Sequence, residues 1–301
     1  MAELLPDAFA PVSSLLPFRD VQLVAFDLDG TLLPQESVGM FRHLSRSLRR
    51  YGVQLVMATG RALNGVESLL GETVLPRGMI VLYNGSLVLE RKSLAVVAHR
   101  TIPACAAQAV FDVANRDRVS GRLYYFRDTL RSRDELFGSR EVVVGWPGTD
   151  EPLQPFEFNK LPVRRMLSRF EVPDEPATAI LLDAGCMGDR LHRIRDKLAD
   201  TPGISVTQSG SQFLEIRPLG SDKAVALAEV AGEFAIPRER VLAVGDNDND
   251  AEMLAWAGLG VAVSQASALA IANANYICRR GTFSGVIEML RILRDAKRFF
   301  Q

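Results

Sequence analysis

Lysine is scarce in this 301-residue chain: only residues 92, 160, 197, 223 and 297 are lysine among 35 basic side chains, and the others are arginine. A well-placed lysine therefore stands out. Net charge is also nearly absent, with 35 basic against 36 acidic residues and a formal charge of −1. That excludes a generally basic nucleic-acid binder and a highly acidic, disordered chain. Cysteine is limited to Cys105, Cys186 and Cys278. An odd number with wide spacing supports neither a disulfide framework nor a zinc site, so a reducing, cytoplasmic setting is expected. No uninterrupted apolar run approaches the about 18 residues of a membrane-spanning helix. Residues 1–20 lack a basic start and are broken by Pro6, Pro11 and Pro17, which reads as a loose N-terminal extension rather than a signal peptide.

What the chain does have is enough apolar mass, 48% of residues, for about two domains. Short apolar runs end repeatedly in polar or glycine-rich residues. Val21–Phe26 leads into Asp27, Val53–Ala58 into Thr59, Met79–Tyr83 into Asn84, and Val241–Val244 into Gly245, with Gly258–Val263 a fifth, weaker run. Unbroken apolar runs of this length read as strands buried on both faces of a parallel sheet. Helical patterns lie between them, over Ser37–Tyr51, Ala62–Leu70, Lys223–Phe234 and Ala251–Ala257. This alternation predicts a doubly wound α/β core. Residues 87–215 break the rhythm with hairpin-like strands and two helices, Ala104–Asn115 and Gly188–Ala199, and are expected to form an inserted α+β domain. The core is then discontinuous, over residues 21–86 and 216–301.

In such sheets ligands gather beyond the carboxyl ends of the strands. Asp27 and Asp29, two apart on an extended chain, point the same way, and Gly30 permits a tight turn after them. Paired acids suit a divalent metal or a nucleophile with an acid/base partner, although two solvated aspartates at a strand end are an equal alternative. Asp246, Asp248 and Asp250 alternate with Asn247 and Asn249. An EF-hand reading fails because Ala251 stands at the turn position and Ala257 at the twelfth. Capping of the next helix explains Asp248 and Asp250 but not Asp246, for which a cation shared with Asp27 is expected. Thr59-Gly60-Arg61 offers a small anion cradle, with Thr59 also capping the helix that follows. Asn84-Gly85 also suits a hairpin turn. Lys223 opens a helix, where its charge opposes the helix dipole, so a charge role toward an anionic substrate accounts for it better than capping does.

The ordered set Asp27-Leu28-Asp29-Gly30-Thr31, Thr59-Gly60-Arg61, Lys223 and Gly245-Asp246 through Asp250 resembles the haloacid dehalogenase-like (HAD) superfamily. The position of the insert is most similar to its Cof-type phosphatases, with a class II, B-subtype cap. The resemblance implies a Rossmann-like core, a cap that roofs the site, and Mg2+-dependent hydrolysis of small phosphorylated metabolites through an aspartyl-phosphate. By it, Asp27 is the nucleophile and Asp29 the general acid and base. Asp27, the Asp29 carbonyl and Asp246 would hold the metal, Asp250 would act through its waters, and Thr59, Gly60, Lys223 and Asn249 would hold phosphate. Arg61 and Asn84 become possible substrate contacts, and Asp248 a surface residue. A phosphomutase or a non-catalytic metabolite-binding protein of the same fold are the alternatives. No nucleic-acid or membrane partner is expected, and oligomeric state stays open. In the insert, Tyr124, Tyr125, Arg127, Trp146, Arg164, Arg165 and His192 are read first as packing or surface.

Overall fold

The computed structural model describes residues 2–7, 9–33, 38–70, 78–127, 140–146, 165–166, 172, 174–183, 188–209 and 212–300. The first half of the chain carries β1 (Glu3–Leu4), β2 (Leu23–Phe26), α1 (Val38–Arg50), β3 (Gln54–Ala58), α2 (Leu63–Leu70), β4 (Met79–Leu82), β5 (Leu87–Glu90), β6 (Val96–His99), α3 (Ala104–Arg116), β7 (Ser120–Phe126) and β8 (Glu141–Trp146). After them come β9 (Arg165–Met166), β10 (Ala179–Asp183), α4 (Gly188–Leu198), β11 (Ile204–Ser209) and β12 (Phe213–Pro218). The chain closes with α5 (Lys223–Glu233), β13 (Val241–Gly245), α6 (Ala251–Trp256), β14 (Leu259–Ala262), α7 (Ala268–Ala272), β15 (Tyr276–Ile277) and α8 (Thr282–Phe299). Two compact units result: Met1–Gly60 with Glu72–Leu94 and Asp222–Gln301, and Arg61–Gly71 with Ala95–Ser221.

In the first unit the strands run in the order β1-β15-β14-β13-β2-β3-β4-β5. All neighbours are parallel except β4 and β5, which form an antiparallel hairpin. Every residue of β2 and of β13 is buried, as expected for strands covered on both faces. Register sets the chemistry: Phe26 lies opposite both Val244 and Met57, so the chain leaves these three strands at one edge. Packing of α1 and α8 is fixed by Phe41, whose ring centroid lies 5.8 Å from Phe26 and 6.2 Å from Phe283.

The N-terminal segment is not loose. β1 adds a parallel strand beside β15, Leu5 and Phe18 are fully buried, and a short 3-10 helix spans Val12–Phe18. Pro11 and Pro17 break an α-helix but not this tighter turn and its extended lead-in, and burial of Leu5 and Phe18 supplies the anchoring.

The second unit holds a sheet in the order β11-β12-β10-β7-β8-β9, antiparallel at every pair but β8 and β9. Apolar residues of α3 and α4 (Val110, Phe111, Leu191, Ile194) form one core with Leu123, Tyr125 and Ile216 of the sheet. Trp146 belongs to this core: its indole N–H donates to the Val119 carbonyl at 3.0 Å and its ring stacks edge-on to Phe111. No described helix is long and apolar enough to cross a membrane.

Candidate active site

Lys223, at the first position of α5, is 1% exposed, and its ammonium lies 2.6 Å from Asp27 Oδ1 and 2.6 Å from Asp250 Oδ1. Its neighbour Asp222 caps the helix by accepting from the Val225 N–H, so the lysine has no capping duty. Asp27 follows β2, where its N–H donates to the Val244 carbonyl and prolongs the strand ladder. Asp250 is fully buried and also braces the backbone, since its Oδ2 accepts from the N–H groups of Asp246 and Asn247 at 3.0 and 3.1 Å. That closes a capping box with Asn247 and curls the acidic loop around one carboxylate. The expected capping role of Asp250 is thus present, joined to the ion pair with Lys223.

Asp246 stands one residue beyond β13, partly buried. Its Oδ1 accepts from the Thr31 hydroxyl at 2.6 Å and its carbonyl from the Ser267 N–H. Carboxylate oxygens of Asp27, Asp246 and Asp250 all lie within 4.8 Å of one another, an acidic trio that can hold a metal ion. Three carboxylates face one ammonium. Burial, then the repulsion of Asp250, pushes the Asp27 carboxyl well above the usual carboxylate range, and burial likewise raises Asp246. For Lys223 burial opposes the charge, but Asp250 and Asp27 prevail and hold its ammonium above the ordinary lysine range. A cluster short of positive charge and built of hard oxygen donors fits a divalent cation such as Mg2+.

Gly30 makes the trio possible. Its φ is +78°, and a Cβ there would stand 2.2 Å from Asp246 Oδ2. Asp29, half-buried in this turn and bridged to Leu33, lies outside the carboxylate trio.

Thr59 is fully buried; its N–H donates to the Val81 carbonyl and its own carbonyl accepts from Asn84. Asn84 is the left-handed centre of the β4–β5 hairpin, with φ of +51°, so the turn reading of Asn84-Gly85 holds together with a place in the site. Its Oδ1 accepts from the Asn249 amide at 3.0 Å, linking two residues 165 positions apart. Beside it, a Cβ on Gly60 would lie 2.9 Å from the Asn84 amide nitrogen, so glycine at 60 is what lets the Asn84 side chain pack this close to the backbone. One expectation fails: α2 begins at Leu63, beyond the reach of a Thr59 cap, and its first two N–H groups donate to Glu141 instead.

Asp27, Asp246, Asp250 and Lys223 therefore meet, as do Thr59, Gly60, Asn84 and Asn249. Asp248 is exposed, its N–H donating to Asn247. Arg61 begins the second unit and is half-buried. Among the residues of the insert, Tyr125 and Trp146 are core, Arg127 pairs with Glu175 at 2.7 Å, Tyr124 is buried and His192 is exposed on α4. Arg164 and the side chain of Arg165 lie outside the described residues. Sequence reasoning overlooked Thr31 and Asn247 as supports of the acidic trio; adjacency to Asp29-Gly30 and to Asp246 was the available signal.

A family profile described as haloacid dehalogenase-like hydrolase matches residues 24–290. A 5-amino-6-(5-phospho-D-ribitylamino)uracil phosphatase of Bacillus subtilis, YcsE, is 26% identical over 231 residues, 76% of this chain and 78% of that protein. A haloacid dehalogenase-like hydrolase from Bacteroides thetaiotaomicron superposes with a TM-score of 0.72 at 25% identity, covering 90% of this chain and 98% of its own. The subclass IIB sugar phosphatase BT4131 shares the fold with a TM-score of 0.67 at 19% identity, over 93% and 99% of the two chains. With the match running from β2 into α8 and the acidic trio at the strand ends, this chain belongs to the haloacid dehalogenase-like hydrolase family.

Proposed function

We propose that the protein hydrolyses phosphomonoesters of small metabolites, sugar phosphates or related compounds, with Asp27 as nucleophile and Mg2+ as cofactor. The observation that carries this reading is the pair of 2.6 Å contacts from the Lys223 ammonium to Asp27 and Asp250, beside Asp246. Lys223 holds Asp27 Oδ1, so the other carboxylate oxygen is the one left to attack phosphorus. Asp29, less buried, protonates the departing alkoxide and then takes a proton from the water that cleaves the aspartyl-phosphate. The Thr59 hydroxyl, the Gly60 N–H, Lys223 and Asn249 receive the phosphoryl oxygens, with Asn84 fixing Asn249. Asp27, the Asp29 carbonyl and Asp246 would hold Mg2+, with Asp250 ordering its surroundings. When bound, the cation neutralises charge on the transferring phosphoryl group and lets a dianionic ester approach the carboxylates.

The inserted residues serve as the cap that excludes water and selects the organic part of the substrate. The relatives' named activities on phosphorylated ribitylamino and sugar compounds support a small substrate. Widely spaced, unpaired Cys105 and Cys278 support a cytoplasmic setting.

The test is release of inorganic phosphate from p-nitrophenyl phosphate and from a panel of sugar phosphates with Mg2+. Turnover should be abolished by EDTA and reduced at least about a thousandfold in Asp27→Asn. Tight binding of one metabolite with no turnover across the panel would instead favour a non-catalytic binding protein.

A further inference from the structure

Each carboxylate of the acidic trio has at least one oxygen already engaged by a donor of the protein. The Lys223 ammonium holds Asp27 Oδ1 and Asp250 Oδ1, and two backbone N–H groups hold Asp250 Oδ2. For Asp246 the donor is the Thr31 hydroxyl, 2.6 Å from Oδ1 and 215 positions away in the chain. The main chain of Asp246 is fixed separately, by Asp250 at its N–H and by Ser267 at its carbonyl, but those bonds leave the side-chain torsions free. Asp27 lies beside the same carboxylate, yet two ionised acids repel, so it does not hold Asp246 in the form that binds a cation. Thr31 is built to hold it. The residue is fully buried, and its turn is closed by the Leu32 and Leu33 N–H groups on the Leu28 carbonyl and by the bridge from Asp29 to Leu33. Branching at Cβ restricts χ1 further, so the hydroxyl stands in one place.

Hard cations differ in what they ask of such a carboxylate. Mg2+ demands near-octahedral geometry from single oxygens at about 2.0–2.1 Å, whereas Ca2+ gathers about six to eight oxygens at about 2.3–2.6 Å and accepts carboxylates through both of theirs. We infer that Thr31 is a positioning residue that sets the choice of cation: by engaging Oδ1 it makes Asp246 a one-oxygen ligand, which suits Mg2+ and denies Ca2+ a second oxygen. A short bond to a charged acceptor is among the stronger hydrogen bonds, so it competes for that oxygen. Without the hydroxyl, Asp246 is free to turn and present both oxygens, and the preference should narrow. The inference deepens the phosphatase reading by naming what selects its metal, and it is tested by cation binding rather than turnover.

The experiment is calorimetric titration of the full chain with Mg2+ and with Ca2+, without substrate. Thr31→Val, nearly the same shape without the donor, should weaken Mg2+ while leaving Ca2+ unchanged or tighter, so that the Mg2+-to-Ca2+ affinity ratio falls at least about fivefold. Thr31→Ser keeps the donor and should retain most of the wild-type ratio. Where Thr31→Val does not fold, Thr31→Ala against Thr31→Ser makes the same comparison. Equal weakening of both cations with a lowered Tm would reduce Thr31 to a structural residue and overturn the inference, as would an unchanged ratio. Failure of the wild-type chain to bind either cation would overturn it too. Absence of turnover in a wild-type chain that does bind Mg2+ would count against the phosphatase reading alone, leaving the affinity ratio to decide the role of Thr31.

Discussion

Lys223 and Asp27 meet 2.6 Å apart with both side chains almost wholly removed from water, although 196 residues separate them in the chain. A buried ion pair is kept at a cost in desolvation, so its removal is felt both in stability and in chemistry.

Replacing Lys223 by Ala leaves two buried carboxylates facing each other, which costs about 3–5 kcal/mol. In variants that remain folded, kcat/KM should fall at least about tenfold, the loss expected for one charged contact. Lys223→Arg should not restore it, because the planar guanidinium does not fit the ammonium's place between Asp27 and Asp250. Thermal unfolding and steady-state kinetics check both parts; wild-type kinetics in Lys223→Ala would return the residue to a purely structural role.

Gly30→Ala targets the acidic trio from its far side. The new Cβ would occupy the place of Asp246 Oδ2 and sit at a φ of +78°. Strain of about 1–2 kcal/mol is expected from the backbone alone. Displacement of Asp246 should raise the half-saturating Mg2+ concentration at least about tenfold while leaving phosphate inhibition little changed. Titration of activity against Mg2+ is the measurement.

Mg2+ should stabilise the folded chain even without substrate. At about a hundred times its Kd, linkage gives about 2.7 kcal/mol, a rise of several degrees in Tm. Because burial raises the carboxyls of Asp27 and Asp246, protons compete with the metal at lower pH. The Mg2+-induced shift should therefore shrink as pH falls through that raised range, and grow as pH rises until both groups are ionised. Differential scanning fluorimetry with and without EDTA across pH follows this; a shift that grows on acidification would contradict it.

Phe18→Ala tests the docked N-terminal segment. The ring is fully buried with its centroid 5.3 Å from that of Tyr276 on β15. Its truncation should cost about 3–5 kcal/mol, the range for a large aromatic removed from a core. A loss under about 0.5 kcal/mol, typical of exposed positions, would mean the segment is not part of the core in solution.

The acidic site is largely legible because a parallel sheet imposes a simple rule on sequence. Strands buried on both faces appear as unbroken apolar runs, and the polar residues that end them must gather at one edge. Asp27, Thr59 and Asp246 follow from that rule, with Lys223 marked by its rarity and by a helix position that no local interaction explains. The end of the chain is less legible. There α7, β15 and α8 follow the last clear apolar run, and β15 escapes notice because a two-residue strand leaves almost no pattern.

The sequence by itself determined which residues carry charge and where strands end, since these depend on composition and local periodicity. Tertiary structure alone decided how those charges are shared. It gave Asp250 both a loop to cap and a lysine to hold, turned Gly30 into the space that Asp246 fills, and handed the cap of α2 to Glu141 rather than Thr59. It also drew the N-terminal segment into the sheet through Leu5 and Phe18. Each of these depends on partners far along the chain, and a hydrogen bond or a buried ring is indifferent to sequence separation once folding has brought its partner within reach.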